Sequence, residues 1–288
     1  MTAEDDYSAL LSPAAGPVDL AAIATDATPG SDGDKAAGEA ELVGLGPELA
    51  DLQERLFAHG KADGRHSVLL VLQGMDTSGK GGTLRSTVGL MGPQGVRITS
   101  FKAPTPEELE HDFLWRIRRA LPTPGYVGVF DRSHYEDVLI GRVRSLAPPE
   151  EIERRYDAIN AFEAELAAAG TTIIKCMLHI SPEEQKERLL ARLDDPSKHW
   201  KYNPGDLAER SLWPAYQEAY AVAIERTHTD VAPWHVVPAD RKWYRNLAIG
   251  HLLLEALRGL DLAWPTADFD VAEERRRLAE EDPLGGDA

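Results

Sequence analysis

A single cysteine, Cys176, rules out an internal disulfide, and its setting in the apolar run TTIIKCMLHI marks a packing thiol rather than a reactive one. No apolar run reaches the roughly 20 residues that a membrane helix needs. The opening MTAEDDYSAL carries acid where a secretory leader would carry base. A cytoplasmic protein with no membrane association is expected. Positive charge is scarce too: 31 Lys and Arg face 48 Asp and Glu, a net charge of −17. That balance excludes a general nucleic-acid binder, which needs a basic face or aromatic stacking motifs. No internal repeat is visible.

The acid is concentrated at the ends. Residues 1–48 hold ten acids and one base, Lys35, and residues 268–288 hold eight acids against Arg275, Arg276 and Arg277. The stretch between them is close to neutral, with its basic residues clustered, which leaves room for one focused anion site. Residues 1–44, rich in Ala, Gly, Asp and Pro, read as a largely mobile arm. Residues 45–262 read as one folded domain and 263–288 as an acidic tail.

Within the domain, buried strands alternate with helices. ELADLQERLFAHG has helical spacing, and HSVLLVLQG is an apolar run ending in glycine, as for a strand covered on both faces. A helix is expected to start within Gly79 to Leu84. Strands are expected at Val96 to Phe101, Tyr126 to Asp131, Thr171 to Ile180 and Trp234 to Val237. Further helices are expected at Pro106 to Ala120, Pro149 to Ala168, from the Ser181 cap to Leu193, Asp206 to Arg226 and Arg241 to Leu260. The pattern is α/β, a five-stranded parallel sheet with helices on both faces.

Gly74-Met-Asp-Thr-Ser-Gly-Lys-Gly-Gly82 has the spacing G-x-x-x-x-G-K between a buried strand and a helix start. Such a loop turns backbone N–H groups at Gly74, Ser78, Gly79, Gly81 and Gly82 toward a phosphate, and the helix dipole adds to them. Lys80 supplies a point charge for the terminal phosphates. The Ser or Thr that usually follows this lysine and holds magnesium is Gly81 here. Asp76, inside the loop, would be repulsive beside phosphate without a cation and is the substitute magnesium ligand, direct or through water.

A second strand ends in FDRSHYE, placing Asp131 at the carboxyl edge of the sheet, where open α/β sheets bind ligands. Asp131 would orient magnesium or deprotonate an acceptor, Arg132 would grip phosphate oxygens in two-pronged fashion, and Glu136 lies near the acceptor. Arg188 and Arg192 share a helix face, and Lys198 and Lys201 extend their positive strip past Pro196. A strip there is where P-loop kinases carry a lid, about residues 181–213. Beyond the last strand, Arg241 and Lys242 begin a helix at the same sheet edge, offering a phosphate or base contact.

These motifs, GMDTSGKGG, FDRSHYED, ERLLARLDDPSKHWK and APWHVVPADRKWYRN, together resemble the polyphosphate kinase 2 family from about Leu45 to Leu260. The resemblance implies a P-loop kinase-like three-layer sandwich with a helical lid. It also implies magnesium-dependent phosphoryl transfer, with manganese able to substitute, between inorganic polyphosphate and adenine or guanine nucleotides. Asp76, Lys80, Asp131 and Arg132 match the family's catalytic positions, and Arg188 and Arg192 match its lid arginines. The RSHYED segment with Glu136 looks like that of members accepting both ADP and AMP. A homo-oligomer, dimer or tetramer, is implied as well. The alternative is an ATP-dependent nucleotide or small-molecule kinase with the same cradle.

Overall fold

The computed structural model describes residues 6–14, 16–62 and 64–281. Of the acids counted at the two ends, Glu4, Asp5, Asp282 and Asp287 lie outside the described residues. Helices α1 (Tyr7–Leu11) and α2 (Lys35–Lys61) lead into β1 (Ser67–Gln73) and α3 (Lys80–Ser86). There follow β2 (Val96–Ser100), α4 (Pro106–Leu109), α5 (Trp115–Ala120), β3 (Val127–Asp131), α6 (Glu136–Val143) and α7 (Pro149–Ala168). Then come β4 (Thr171–His179), α8 (Pro182–Leu193), α9 (Asp206–Arg210), α10 (Trp213–Thr227), β5 (Trp234–Pro238), α11 (Lys242–Gly259) and α12 (Val271–Glu280).

The strands lie in the order β2-β3-β1-β4-β5, and every pairing is parallel. All seven residues of β1 are buried, as a central strand covered on both faces requires. One core lies under α2 and α11 and holds Leu49, Leu56, Leu70 and Leu253; the other lies under α7 and α10 and holds Val71, Phe130, Phe162 and Ile224. Because β1 pairs with β3 on one side and β4 on the other, the chain reverses its direction of progress at β1. This switch point puts the loop after Gln73 beside the end of β3, with Leu72 opposite Asp131.

Two expected helices are interrupted. The Asp112 carboxylate accepts from the Leu114 N–H at 3.0 Å and restarts the chain as α5, so Pro106 to Ala120 is two short helices. Pro214, with no N–H to give, sits at the start of α10 and separates it from α9.

Where the arm is described, it packs on the domain through a small number of contacts. Helix α2 begins at Lys35, capped by Asp34, and runs through Pro47. Ahead of it, Tyr7 is buried, its ring stacked 4.2 Å from His251, and its hydroxyl donates to Gly30 O at 3.0 Å. Glu255 accepts from the Tyr7 and Ser8 N–H groups, and Thr25 donates to Asp240 at 2.6 Å. The composition that reads as loose chain hides a few anchors, each satisfied by α11 or the β5 end. Tyr7→Ala should therefore lower stability by about 3 kcal/mol, as for a buried aromatic. Urea unfolding checks this, and a wild-type midpoint would return the arm to the mobile reading.

Candidate active site

The loop between β1 and α3 is a tight cradle. Gly74 has φ 151° and Gly79 φ 111°, a region that disfavours side chains. A Cβ on Gly79 would also lie 1.7 Å from the Arg245 guanidinium. A Cβ on Gly81 would meet nothing within 4 Å, so space stays open where a hydroxyl residue usually follows the lysine. Lys80 is buried and donates from Nζ to Gly74 O at 2.8 Å. Burial, then the neighbouring Arg132, pull its pKa down.

Around the cradle lies a cavity of about 610 Å³ lined by ten cations, Lys80, Arg85, Lys102, Arg132, Arg188, Arg192, Lys198, Lys201, Lys242 and Arg245, and by two carboxylates, Asp76 and Asp131. In a chain of net charge −17, such an excess of positive charge calls for a polyanion. Thr77 lines the same cavity, and its hydroxyl is buried with no partner among the described residues.

A second cavity, about 300 Å³, opens on the other side of Asp76 and Arg132. Its character is opposite: Glu136, Asp206 and Glu209 line it with Tyr216, Tyr220 and Asn203. Burial pushes the Glu136 carboxyl above its ordinary range, against the pull of Arg132, and raises Asp206 as well. Burial, reinforced by Glu136, keeps the Tyr220 phenol protonated. Asp76 and Arg132 belong to both cavities and form an ion pair of 2.8 Å. Arg132 follows β3 at φ 64°, and Thr77 stands at φ 66°; backbone of this kind costs about 1–3 kcal/mol each and persists where the surroundings enforce it.

The sequence-predicted residues are mostly brought together, with four changes, the first being that Gly74 lines only the second cavity while its carbonyl accepts from Lys80. Ser78 does not reach the cavity wall: its N–H donates to Met75 O, and its carbonyl accepts from Arg188 and Arg245. Arg241, expected on the acceptor side, stands at the first position ahead of α11 without a capping side-chain bond and pairs with Asp26 of the arm at 3.6 Å. Arg188 lines the cavity, but all its donors are engaged. Nε bonds Glu184, Nη1 bonds Thr77 O and Ser78 O, and Nη2 bonds Ala239 O and Asp240 O. In this conformation it clamps the cradle to the end of β5.

Lys242, named with Arg241 as a phosphate or base contact, lines the cavity, whereas sequence reasoning missed Arg85, Lys102 and Arg245 there. The spacing of Lys242 and Arg245 is a usable signal, since residues three apart share a helix face. Arg245 is buried, donates to Ser78 O at 3.2 Å and to Asn246, and burial, then Arg188, bring its pKa down to about 9.

For a divalent cation, the described residues hold no cluster of three His, Cys, Asp or Glu. Two carboxylates lining the same cationic cavity still suit magnesium, which takes one or two carboxylates and completes its shell from phosphates and water.

The family model described as Polyphosphate kinase 2 matches residues 32–263. An AMP/ADP-polyphosphate phosphotransferase of Meiothermus ruber is 48% identical over 240 residues, 83% of this chain and 88% of that one. An ADP-polyphosphate phosphotransferase of Rhodopseudomonas palustris is 42% identical, covering 75% of this chain and 78% of the relative. The crystal structure of polyphosphate kinase 2 from Arthrobacter aurescens superposes with a TM-score of 0.94 at 57% identity, covering 96% of this chain and 98% of that one.

Two outcomes are expected from this geometry. Arg188→Lys, with fewer donors and no fork, leaves several buried carbonyls unpaired and should cost about 3 kcal/mol by urea unfolding; a native midpoint would remove the clamp. Glu136 has a raised folded-state pKa, so ionising it opposes folding. The penalty is absent below its ordinary carboxylate pKa and complete above the raised one. Glu136→Gln should therefore match the native melting temperature in acid and exceed it at neutral pH; a variant less stable at both would contradict the assignment.

Proposed function

This chain belongs to the polyphosphate kinase 2 family, and we propose that it moves the terminal phosphoryl group of inorganic polyphosphate onto ADP to give ATP, and onto AMP to give ADP. The observation that carries this reading is the pair of unlike cavities meeting at Asp76 and Arg132. The cationic cavity suits a run of phosphates. Phe101 is its one aromatic lining residue among those described, a poor slot for the adenine of an ATP donor. The acidic, phenolic cavity suits a nucleoside, whose hydroxyl and amino groups donate to carboxylates. The Meiothermus relative named for both AMP and ADP, together with Glu136 on this wall, supports the dual-acceptor reading.

The donor polyphosphate lies along Lys198, Lys201 and Arg192 of the lid, with its end in the cradle at Gly79, Lys80, Gly81 and Gly82. Lys80 and Arg132 face the equatorial oxygens of the phosphoryl group in flight. The attacking oxygen belongs to a nucleotide phosphate that is already ionised, so no proton has to be removed, and positioning with charge stabilisation suffices. Magnesium, or manganese in its place, would be held by Asp76 and Asp131 and would supply positive charge that neutralises phosphate. Bound phosphate would draw Arg132 away from Asp76 and leave that carboxylate free for the cation.

The same reading extends to a cytoplasmic location, to guanine nucleotides and to a dimer or tetramer. No described helix is long and apolar enough to cross a membrane. Exposed Trp264, Phe269, Val271 and Leu278 near the carboxyl end support an assembly.

The test is transfer by purified protein with magnesium and polyphosphate, offering ADP and AMP separately. ATP from the first and ADP from the second are expected, and Lys80→Ala should lower both rates at least about a hundredfold. Product from ADP alone would remove the dual-acceptor reading. Absence of product from both, with ATP active as a donor to another acceptor, would favour an ATP-dependent kinase.

A further inference from the structure

We propose that the opposite edge of the sheet carries a second polyphosphate-binding site, formed by Lys61, Arg65 and Arg97. These residues line an open cavity of about 640 Å³ together with Phe57, Thr123 and Tyr126. Arg65 precedes β1, Arg97 lies at the start of β2, and Tyr126 immediately precedes β3. In a parallel sheet this is the amino edge, whereas the cradle is at the carboxyl edge. The seven residues of β1 separate the two by roughly 20 Å.

Charge singles out this place. Across the described surface, arginines as a rule carry a carboxylate: Arg55 with Asp51, Arg118 with Glu165, Arg142 with Glu218, Arg258 with Glu48. Among the described residues, Lys61, Arg65 and Arg97 have no carboxylate partner and no carboxylate lines the cavity. Three exposed like charges gathered in a chain of net charge −17 repel one another unless an anion joins them.

The floor beneath them is rigid. Gly60, near the end of α2, meets Gly125 so closely that a Cβ would come within 2.5 Å of its Cα. Phe57 and Tyr126 pack edge to face at 5.4 Å. Arg97 lies over the Tyr126 ring at 4.2 Å, and Lys61 over Phe57 at 5.2 Å. These cations therefore occupy ring faces on which a nucleobase would stack, which favours bare phosphate over nucleic acid. A nucleotide cannot reach from this edge to the cradle, but a long polyphosphate can. Held here while its end reacts at the cradle, the chain would gain effective concentration rather than a new chemical step.

The site rests on polyphosphate being the donor, and the experiment separates the two claims. The full chain is compared with the triple variant Lys61→Ala, Arg65→Ala, Arg97→Gln, using tripolyphosphate and long-chain polyphosphate as donors. The variant should raise KM for the long chain about fivefold or more while leaving kcat and the tripolyphosphate KM unchanged. Equal shifts for both lengths, or none, would overturn the proposal. Binding is measured as well, with the cradle saturated by tripolyphosphate. Labelled long-chain polyphosphate should stay on the native protein and be lost from the variant. Loss from both, or equally firm retention of single-stranded DNA by the native protein, would also overturn it. If the native chain transfers no phosphoryl group from either donor, the activity reading fails, and the binding arm still decides the site.

Discussion

Holding like charges together without neutralising them is the constraint on which the rest of this structure depends. Carboxylates would stabilise the folded protein but quench the field that a polyanion is meant to feel. The cradle instead uses neutral acceptors for its most deeply placed cations. Lys80 bonds Gly74 O, Arg245 bonds Ser78 O and the Asn246 side chain, and Arg188 bonds four carbonyls of the cradle and the β5 end alongside its one carboxylate, Glu184. Each cation is hydrogen-bonded, yet the cavity keeps its positive excess. Burial, and after it the neighbouring Arg132 and Arg188, lower the pKa values of Lys80 and Arg245. A bound anion relieves that strain, so substrate binding and local stability are linked.

The same constraint explains the contorted backbone beside it. To gather carbonyls around Arg188, the loop must turn Thr77 and Ser78 inward, and Thr77 takes a left-handed conformation to do so. Arg132 leaves β3 through a similar conformation just after its N–H bonds Leu72 O. The turn places its guanidinium against Asp76, at the boundary between the two cavities. Two non-glycine residues in this region, on neighbouring strand ends, mark where sheet geometry yields to the site.

What could be read from the sequence was what is local in the chain. The cradle, the strand ending in Asp131 and the strip from Arg192 to Lys201 are each defined by spacing within a few residues, and their strands fall within a residue or two of expectation. The five-stranded parallel sheet follows from alternation alone. What escaped depends on relations across the chain. Arg245 belongs to the site because α11 rotates one face toward Gly79, and no short-range pattern states that rotation. Arg241, one residue ahead of the helix, was chosen in its place and points to Asp26. Arg188 has the right residue type, but whether its donors face ligand or protein is decided by carbonyls more than 50 residues away, and the Ser78 N–H is taken by Met75 O within the loop itself. The contacts of the arm were not legible because Tyr7 and Thr25 are isolated anchors in a polar, glycine-bearing stretch.

A strand that must be buried on both faces nevertheless carries a charge at its centre, Lys175 of β4, and the site accounts for it. Its Nζ donates to Glu163 at 2.6 Å, to the Tyr135 hydroxyl at 2.9 Å and to Thr227 O at 2.7 Å. Tyr135 and His134 also meet Glu163. Burial opposes ionisation of Glu163, but Lys175, with His134 assisting, holds its carboxyl below the ordinary value. Apolar side chains of similar size would often serve stability as well as a buried pair of this kind. What they would not supply is direction. The network fixes His134 and Tyr135 to α7, β4 and α10, and these two residues lie between Arg132 and Glu136. A turn pinned at its middle can present a guanidinium to one cavity and a carboxylate to the other without relying on contacts inside either. The buried pair thus defines the geometry of the boundary at which phosphate would change hands.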